Sequence, residues 1–130
     1  MAGIILVSKE ISWDSSSSAY LWIMDPVATL VSSTTDKALK KKIKLGIETR
    51  ILALEDASPR EMRLLFDMLK KAYADRVKEG GAHFPSEPIY QEYLEGFRAL
   101  IGVIGEDPRV GIPIYTEEAK KPSAGVRRGP

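Results

Sequence analysis

The hydrophobic pattern divides the chain into short apolar runs separated by polar segments, followed by two long amphipathic repeats. Residues 3–11, GIILVSKEI, are β-branched and aliphatic before they alternate, which predicts a strand whose first half is buried. The WDSSSS segment after it predicts a polar turn, because serine and aspartate side chains bond to nearby backbone. We therefore predict a hairpin, or a looser connection, between Ile11 and the apolar AYLWIM.

The next apolar run, VATLVSS, is separated from AYLWIM by Asp25-Pro26. Proline has no amide hydrogen for a ladder and restricts the residue before it, so this dipeptide predicts a bulge, a sheet edge or a break. We predict a further strand in VATLVSS and a turn in TTDKALKK.

Residues 36–56 fit two periods. A helix would place Leu39, Ile43, Ile47 and Ile51 on one stripe, but would leave Leu45 and Leu52 off it and would include Gly46 at a cost of about 1 kcal/mol. A strand alternates Ile43, Leu45, Ile47, Thr49 and Ile51 with polar residues or glycine, and misplaces no large apolar residue between 43 and 51. We predict a strand, with a helix beginning near Asp36 as the alternative.

Helical signals are much stronger after Ser58. Ser58, Pro59 and Glu61 form a capping-box pattern, apolar residues then recur at helical spacing, and Gly80-Gly81 supplies a stop. A second helix begins near Glu87-Pro88 and ends at Gly105. Its connection to the first is short enough for the two helices to pack as an antiparallel pair.

The predicted fold is α+β: three or four mostly antiparallel strands within residues 3–54, with the two-helix hairpin of residues 59–104 packed on one face. RVGIPIYT predicts a short edge strand, because its proline cannot lie in the centre of a sheet. We predict a single domain over residues 1–116 and a flexible tail over 117–130, which is polar and rich in proline and glycine.

Composition narrows the classes of protein. The 130 residues are 44% hydrophobic and 28% charged, as in an ordinary globular domain, and the net charge of +1 gives no overall field toward nucleic acid or membrane. The absence of cysteine excludes disulfides and thiolate sites and suits the cytoplasm. No apolar run reaches the roughly 20 residues that span a bilayer, so we expect no membrane segment.

No catalytic constellation stands out. The one histidine, His83, lies in a loop between the helices, and no G-x-S-x-G nucleophile elbow accompanies it. The acidic residues are spaced as on helix ends and solvated faces, and the glycines match neither phosphate-binding motif. We therefore predict a protein that is not an enzyme and that holds no metal or cofactor.

Several residues are candidates for binding a protein partner, since tryptophan and arginine combine a large contact area with directional hydrogen bonds. The candidates are Trp13, Asp14 and the polar face of the predicted strand, Lys44, Glu48 and Arg50. For Trp13, a place in the core is an equally good interpretation.

Two other functions remain open. The basic clusters, Lys40–Lys44 and the tail residues Lys120, Lys121, Arg127 and Arg128, could contact phosphates in a nucleic-acid accessory protein. Tyr90, Tyr93 and Phe97 could instead line a ligand pocket between sheet and helices in a small enzyme or carrier, although their helical spacing favours a core position.

In size, lack of cysteine and order of strands before helices, the chain resembles the small cytoplasmic immunity proteins that neutralise contact-dependent or secreted bacterial toxins. The resemblance covers the layout of residues 3–104 and no motif. It implies a non-enzymatic protein that masks a toxin. Such proteins often have an acidic face that blocks a basic nuclease cleft, and the near-neutral charge of this chain departs from that pattern.

Overall fold

The computed structural model describes residues 2–34 and 36–111, which form three strands and four helices. In chain order these are β1 (Ala2–Leu6), β2 (Ser12–Ser16), α1 (Ser17–Val31), α2 (Lys37–Thr49), β3 (Ile51–Ala53), α3 (Pro59–Glu79) and α4 (Glu87–Gly105). The predicted α+β class is confirmed.

The sheet has the order β2-β1-β3 and is mixed. β1 pairs antiparallel with β2, Ile4 lying opposite Asp14, and parallel with β3, Ile4 lying beside Ile51. Helices α1 and α4 pack against the sheet, while α3 packs against α1 and α4. One apolar core is shared by all these elements, and its largest fully buried side chains include Tyr20, Phe97, Ile5, Ile23, Met24, Leu52 and Leu65.

β2 occupies residues for which the sequence predicts a turn. The chain reverses earlier, where Val7 and Ser8 donate their amide hydrogens to the Ile11 carbonyl at 3.0 and 3.1 Å. The serines that follow are therefore free to form a strand, and the alternation of that strand turns Trp13 inward. The prediction of a turn was wrong because local hydrogen bonding by serine does not outweigh pairing with β1.

α1 replaces the two strands predicted around Asp25-Pro26. Ser16 caps the helix by accepting from the Ala19 amide, and the buried side of α1 carries Tyr20, Ile23 and Val27. Pro26 lies inside the helix, where it cannot donate a hydrogen bond to the Trp22 carbonyl four residues earlier. Arg76 of α3 supplies that bond, because its Nε and Nη2 lie 3.0 and 2.8 Å from the Trp22 oxygen.

α2 corrects the strand predicted over residues 43–51. Asp36 caps it by accepting from the Leu39 amide, and Leu39 and Ile43 are buried, so the helical alternative is the right one. The cost of a helical glycine is offset at Gly46: a Cβ there would lie 3.1 Å from Leu52, and the Gly46 carbonyl accepts from the Tyr20 hydroxyl at 2.7 Å. Leu45 remains 56% exposed. This exposed leucine is the cost of the helix that led the sequence pattern to favour a strand.

Tyr20 makes the fold sensitive to alkaline pH. Burial raises its pKa from 10.0 to about 12, and the nearby Arg50 charge lowers it by a smaller amount. The native state therefore keeps a proton that the unfolded chain releases near pH 10, so stability falls as the pH rises from 10 toward 12. We expect urea titrations to show this loss in wild type and a smaller one in Tyr20→Phe. Equal losses in both proteins would contradict it.

The two C-terminal helices agree closely with the sequence. The capping box is complete: Ser58 Oγ accepts from the Glu61 amide at 3.1 Å, and the Glu61 carboxylate accepts from the Ser58 amide at 2.8 Å. α3 ends at Glu79, directly before the predicted stop at Gly80, whose φ of 77° suits glycine. α4 begins with its proline in the first turn, ends at Gly105 and contacts α3, so the predicted helix pair is present.

The described chain ends in a turn that is tied to the sheet by Arg109. Its guanidinium donates to the Val7, Leu54 and Ala57 carbonyls at 2.8, 2.6 and 3.0 Å, and both oxygens of Asp107 accept from it at 2.9 Å. Residues 109–111 of the predicted edge strand belong to this turn. The rest of that strand and the tail lie outside the described residues, and the boundary at residue 116 stays a prediction.

Candidate functional site

One face of the sheet is open to solvent in the described part of the chain. Gly3, Ile5, Trp13 and Leu52 are buried on the side of the helices. The alternate residues of each strand point to the other side because strand side chains alternate. We call this other side the open sheet face, and it comprises Ala2, Ile4, Leu6, Ser12, Asp14, Ser16, Ile51 and Ala53.

The pairing register arranges these residues in rows across the three strands. The central row is Asp14, Ile4 and Ile51, and the next is Ser12, Leu6 and Ala53. Ile4 and Leu6 are partly buried by their neighbours, whereas Ile51 is 46% exposed. The open sheet face is thus apolar along β1 and β3 and polar along β2.

Trp13 and Asp14, predicted as partner-binding residues, lie on opposite sides of β2. Trp13 is only 9% exposed and its indole nitrogen donates to the Gly96 carbonyl of α4 at 3.1 Å. It joins the sheet to α4 and belongs to the core. Asp14 is exposed at the end of the central row, so it is available to a partner.

Lys44, Glu48 and Arg50 do not share a strand face, because the strand on which that prediction depended is α2. Lys44 and Glu48 are exposed one helical turn apart. Arg50 takes the left-handed conformation just after the helix, with φ of 63°. Its guanidinium donates to the Ser17 hydroxyl at 3.2 Å and to the Ile47 carbonyl, so it connects α2 to α1.

A groove of about 370 Å³ runs between α1 and α2, and we call it the α1–α2 groove. Apolar side chains form most of its lining, and the charged ones stand on α2. The lining residues are Ala28, Val31, Ser32, Lys40, Ile43, Lys44, Ile47 and Glu48. Two of the predicted partner-binding residues, Lys44 and Glu48, therefore belong to the same concave surface.

The aromatic residues proposed for a ligand pocket pack against other aromatic side chains of the protein. Tyr90 and Phe97 are 6% and 0% exposed. The Phe97 ring lies 5.3 Å from that of Tyr73, and the Tyr93 ring lies 4.9 Å from that of Phe84. Tyr93 also lines a cleft of about 260 Å³ between β2, α1 and α4. The interpretation of Tyr90 and Phe97 as core residues is the one the structure supports.

The described residues offer few other groups that could form a catalytic or metal-binding site. His83 is exposed in the connector between α3 and α4. Within residues 2–34 and 36–111, no three histidine or acidic side chains are grouped so that they could hold a metal ion. Nor does any helix in this part of the chain combine the length and apolarity needed to cross a membrane.

The apolar residues of the open sheet face were missed as site residues. Ile4 and Leu6 lie in a continuous aliphatic run, which hides the alternation that separates an open face from a buried one. Ile51 and Ala53 belong to a strand of three residues directly after a helix, too short to carry a period of its own. The signal that could have found them is the pairing of β1 with β3, which the sequence does not display.

Comparison with known proteins gives one structural likeness. No protein-family model matches the chain, and no curated protein matches it. A chain in the solved structure of the CdiA-CT toxin from Burkholderia pseudomallei E479, in complex with its cognate CdiI immunity protein, has a similar fold with a TM-score of 0.68. The two are 18% identical, and the match covers 84% of this chain and 99% of that one.

Proposed function

We propose that this protein is an immunity-type protein that binds a toxin and masks it, without catalysing a reaction. The observation that carries the proposal is the open sheet face, an apolar surface on a small domain with a polar margin along one strand. The likeness to a chain in a toxin–immunity complex supports this context at the level of fold. A toxin–immunity pair contains one protein that is toxic and one that binds and masks it. The open sheet face favours the second role for this chain.

The central row of the open sheet face suits a contact with another protein. Ile51 and Ile4 would bury apolar area against the partner, and Asp14 at the end of the row would accept hydrogen bonds at the margin. An apolar centre with a polar rim is the usual composition of a protein interface. An interface of standard size buries roughly 1,600 Å² in total, enough to occlude an active site.

The two outer strands extend this surface. β2 and β3 each pair only with β1, so the described sheet ends in two edges. An extended segment of a partner can add to such an edge through main-chain hydrogen bonds. The serines of β2 leave that edge sterically accessible, because they are small. The proposal places the protein in the cytoplasm, where it would meet the toxin.

The test uses a toxin encoded beside the gene, expressed as an isolated domain. We expect the full chain to form a stoichiometric complex with it in size-exclusion chromatography and to restore growth of cells that express it. Ile51→Asp should weaken the complex at least tenfold in calorimetry, because a carboxylate buried in an apolar contact costs about 1.4 kcal/mol or more.

Ile89→Asp is the matched control. Ile89 is 37% exposed on the first turn of α4, where an acidic residue suits the helix dipole. Helix α4 packs on the opposite side of the sheet from the open sheet face, where Trp13 bonds to Gly96. This variant should bind the toxin as wild type does. Equal effects of the two substitutions would show that the toxin contacts another surface. Turnover of a small molecule by the purified chain, with no toxin partner found, would overturn the masking function.

A further inference from the structure

The α1–α2 groove combines an apolar floor with a charged rim, on which two lysines stand beside one glutamate, Glu48. Ala28 and Val31 of α1 and Ile47 of α2 form part of the floor, while Lys40 and Lys44 stand one helical turn apart on the α2 side. None of its lining residues belongs to a strand, so the groove and the open sheet face are separate surfaces.

Positive charge is concentrated on α2 well beyond what the rest of the chain would suggest. The helix carries five lysines and one glutamate, whereas the whole chain has a net charge of +1. Among the described residues, Lys42 is the α2 lysine with an ion-pair partner, Asp56 at 3.0 Å. Lys40 and Lys44 form no ion pair within the described residues, although Glu48 stands one helical turn beyond Lys44 on the same groove, so the two lysines leave an excess of positive charge there.

The placement of the charges also opposes the helix dipole. Lys37, Lys40 and Lys41 lie in the first half of α2, near the end where backbone N–H groups make the potential positive. The first turn contains no acidic residue, and the one carboxylate at the helix start is that of the N-cap residue, Asp36. Cations are unfavourable at that end of a helix. A cluster of lysines in this position does not serve the stability of α2, and an anionic ligand would offset the repulsion.

We propose that the α1–α2 groove binds an acidic amphipathic helix of a protein partner. This inference rests on the proposed function in that the helix belongs to the same toxin. Apolar side chains spaced three and four residues apart would enter the floor, and flanking carboxylates would pair with Lys40 and Lys44. A nucleic-acid backbone would pair with the lysines but would leave the isoleucine and valine floor without a complementary group.

The experiment uses a fluorescent synthetic peptide of about 15 residues, long enough to be helical, with leucines on one face and glutamates beside them. A second peptide has lysine at every glutamate position. Anisotropy titrations against the full chain should show tight binding of the acidic peptide and weak binding of the lysine peptide. The double variant K40E/K44E should reverse this preference, weakening the acidic peptide about tenfold, because the change replaces two attractions with two repulsions.

Matched controls separate the groove from general charge and from folding. K9E/K78E makes the same change in net charge at two exposed lysines outside the groove and should leave binding of the acidic peptide unchanged. Ile47→Asp should weaken it by disrupting the floor. Circular dichroism and thermal unfolding of each variant show whether it is folded.

Several results would overturn the proposal. They are equal binding of the two peptides, equal effects of K40E/K44E and K9E/K78E, or preferential binding of a single-stranded oligonucleotide that K40E/K44E abolishes. Binding of the toxin itself distinguishes this proposal from the masking function. If the peptide binds the groove but the purified chain binds no toxin, the proposed function fails and the groove stands. If K40E/K44E binds the toxin as wild type does, the groove proposal fails and the masking function stands.

Discussion

Arg109→Ala should lower the free energy of unfolding by about 3–5 kcal/mol, the largest single-residue effect we expect outside the apolar core. The substitution removes the donor for the Val7, Leu54 and Ala57 carbonyls. It also leaves the Asp107 carboxylate, whose side chain is only 5% exposed, without its counter-charge. Urea denaturation followed by tryptophan fluorescence measures the loss.

Arg98→Ala is the control for removing a guanidinium, because Arg98 is exposed and, among the described residues, donates to the Tyr73 hydroxyl alone. We expect a change of less than about 1 kcal/mol. A similar loss in both variants would show that the network of Arg109 does not stabilise the fold more than an ordinary surface contact.

The ion pair between Arg109 and Asp107 also predicts that the free energy of unfolding depends on pH in the acidic range. The Arg109 guanidinium, by hydrogen bonding to Asp107, holds the pKa of that carboxyl below its usual range. Because the folded pKa is depressed, the stabilisation is fully present above the pKa of the unfolded carboxyl and is lost as the pH falls from there through the lower pKa of the folded state. Arg109→Ala should therefore lose less stability than wild type on acidification. An identical pH dependence in the two proteins would contradict this.

Arg76→Ala should lower the free energy of unfolding by about 2–3 kcal/mol, since it leaves a partly buried carbonyl without a donor. This carbonyl belongs to Trp22, and Pro26 cannot donate a hydrogen bond to it because proline has no amide hydrogen. Arg76 also lies over the Trp22 ring, 5.0 Å from its centroid, so some packing is lost with the charge.

A double-mutant cycle with Pro26→Ala isolates the hydrogen bond. Alanine at residue 26 can donate to the Trp22 carbonyl, so the loss caused by Arg76→Ala should be at least about 1 kcal/mol smaller in the Pro26→Ala background. Glu79→Ala removes only the surface ion pair of Arg76, at 3.0 Å, and should change stability by less than about 0.5 kcal/mol. If the changes in the free energy of unfolding caused by Arg76→Ala and Pro26→Ala are strictly additive, Arg76 does not replace the hydrogen bond that Pro26 cannot make.

The sequence was most informative where local chemistry decides the structure. α3 and α4 carry their own caps, apolar stripes and glycine stops, so their bounds follow from residues within a few positions. The α+β class followed as well. These features need no knowledge of distant partners.

The first half of the chain was misjudged because its helices depend on residues far away. α1 tolerates Pro26 through Arg76, which lies 54 residues from Trp22, and α2 tolerates Gly46 through Tyr20 and Leu52. A proline and a glycine are sound evidence against a helix when only neighbouring residues are considered. Here tertiary contacts restore what the local sequence removes.

The candidate site was predicted in part, for the same reason. Asp14 lies on the open sheet face and Lys44 and Glu48 line the α1–α2 groove, but the elements that carry them differ from those expected. Trp13 and Arg50 instead donate hydrogen bonds within the protein, to the Gly96 carbonyl and the Ser17 hydroxyl. Which side of a strand faces solvent is set by pairing between β1 and β3, about 50 residues apart, and no local pattern records it.

The tie between Arg109 and Val7 spans 102 residues and sets an order for synthesis on the ribosome. Strands β1 and β3 emerge early, but the carbonyls at their ends receive their donor only after both long helices have been translated. A nascent chain arrested before residue 109 would keep that end of the sheet frayed and open to proteases.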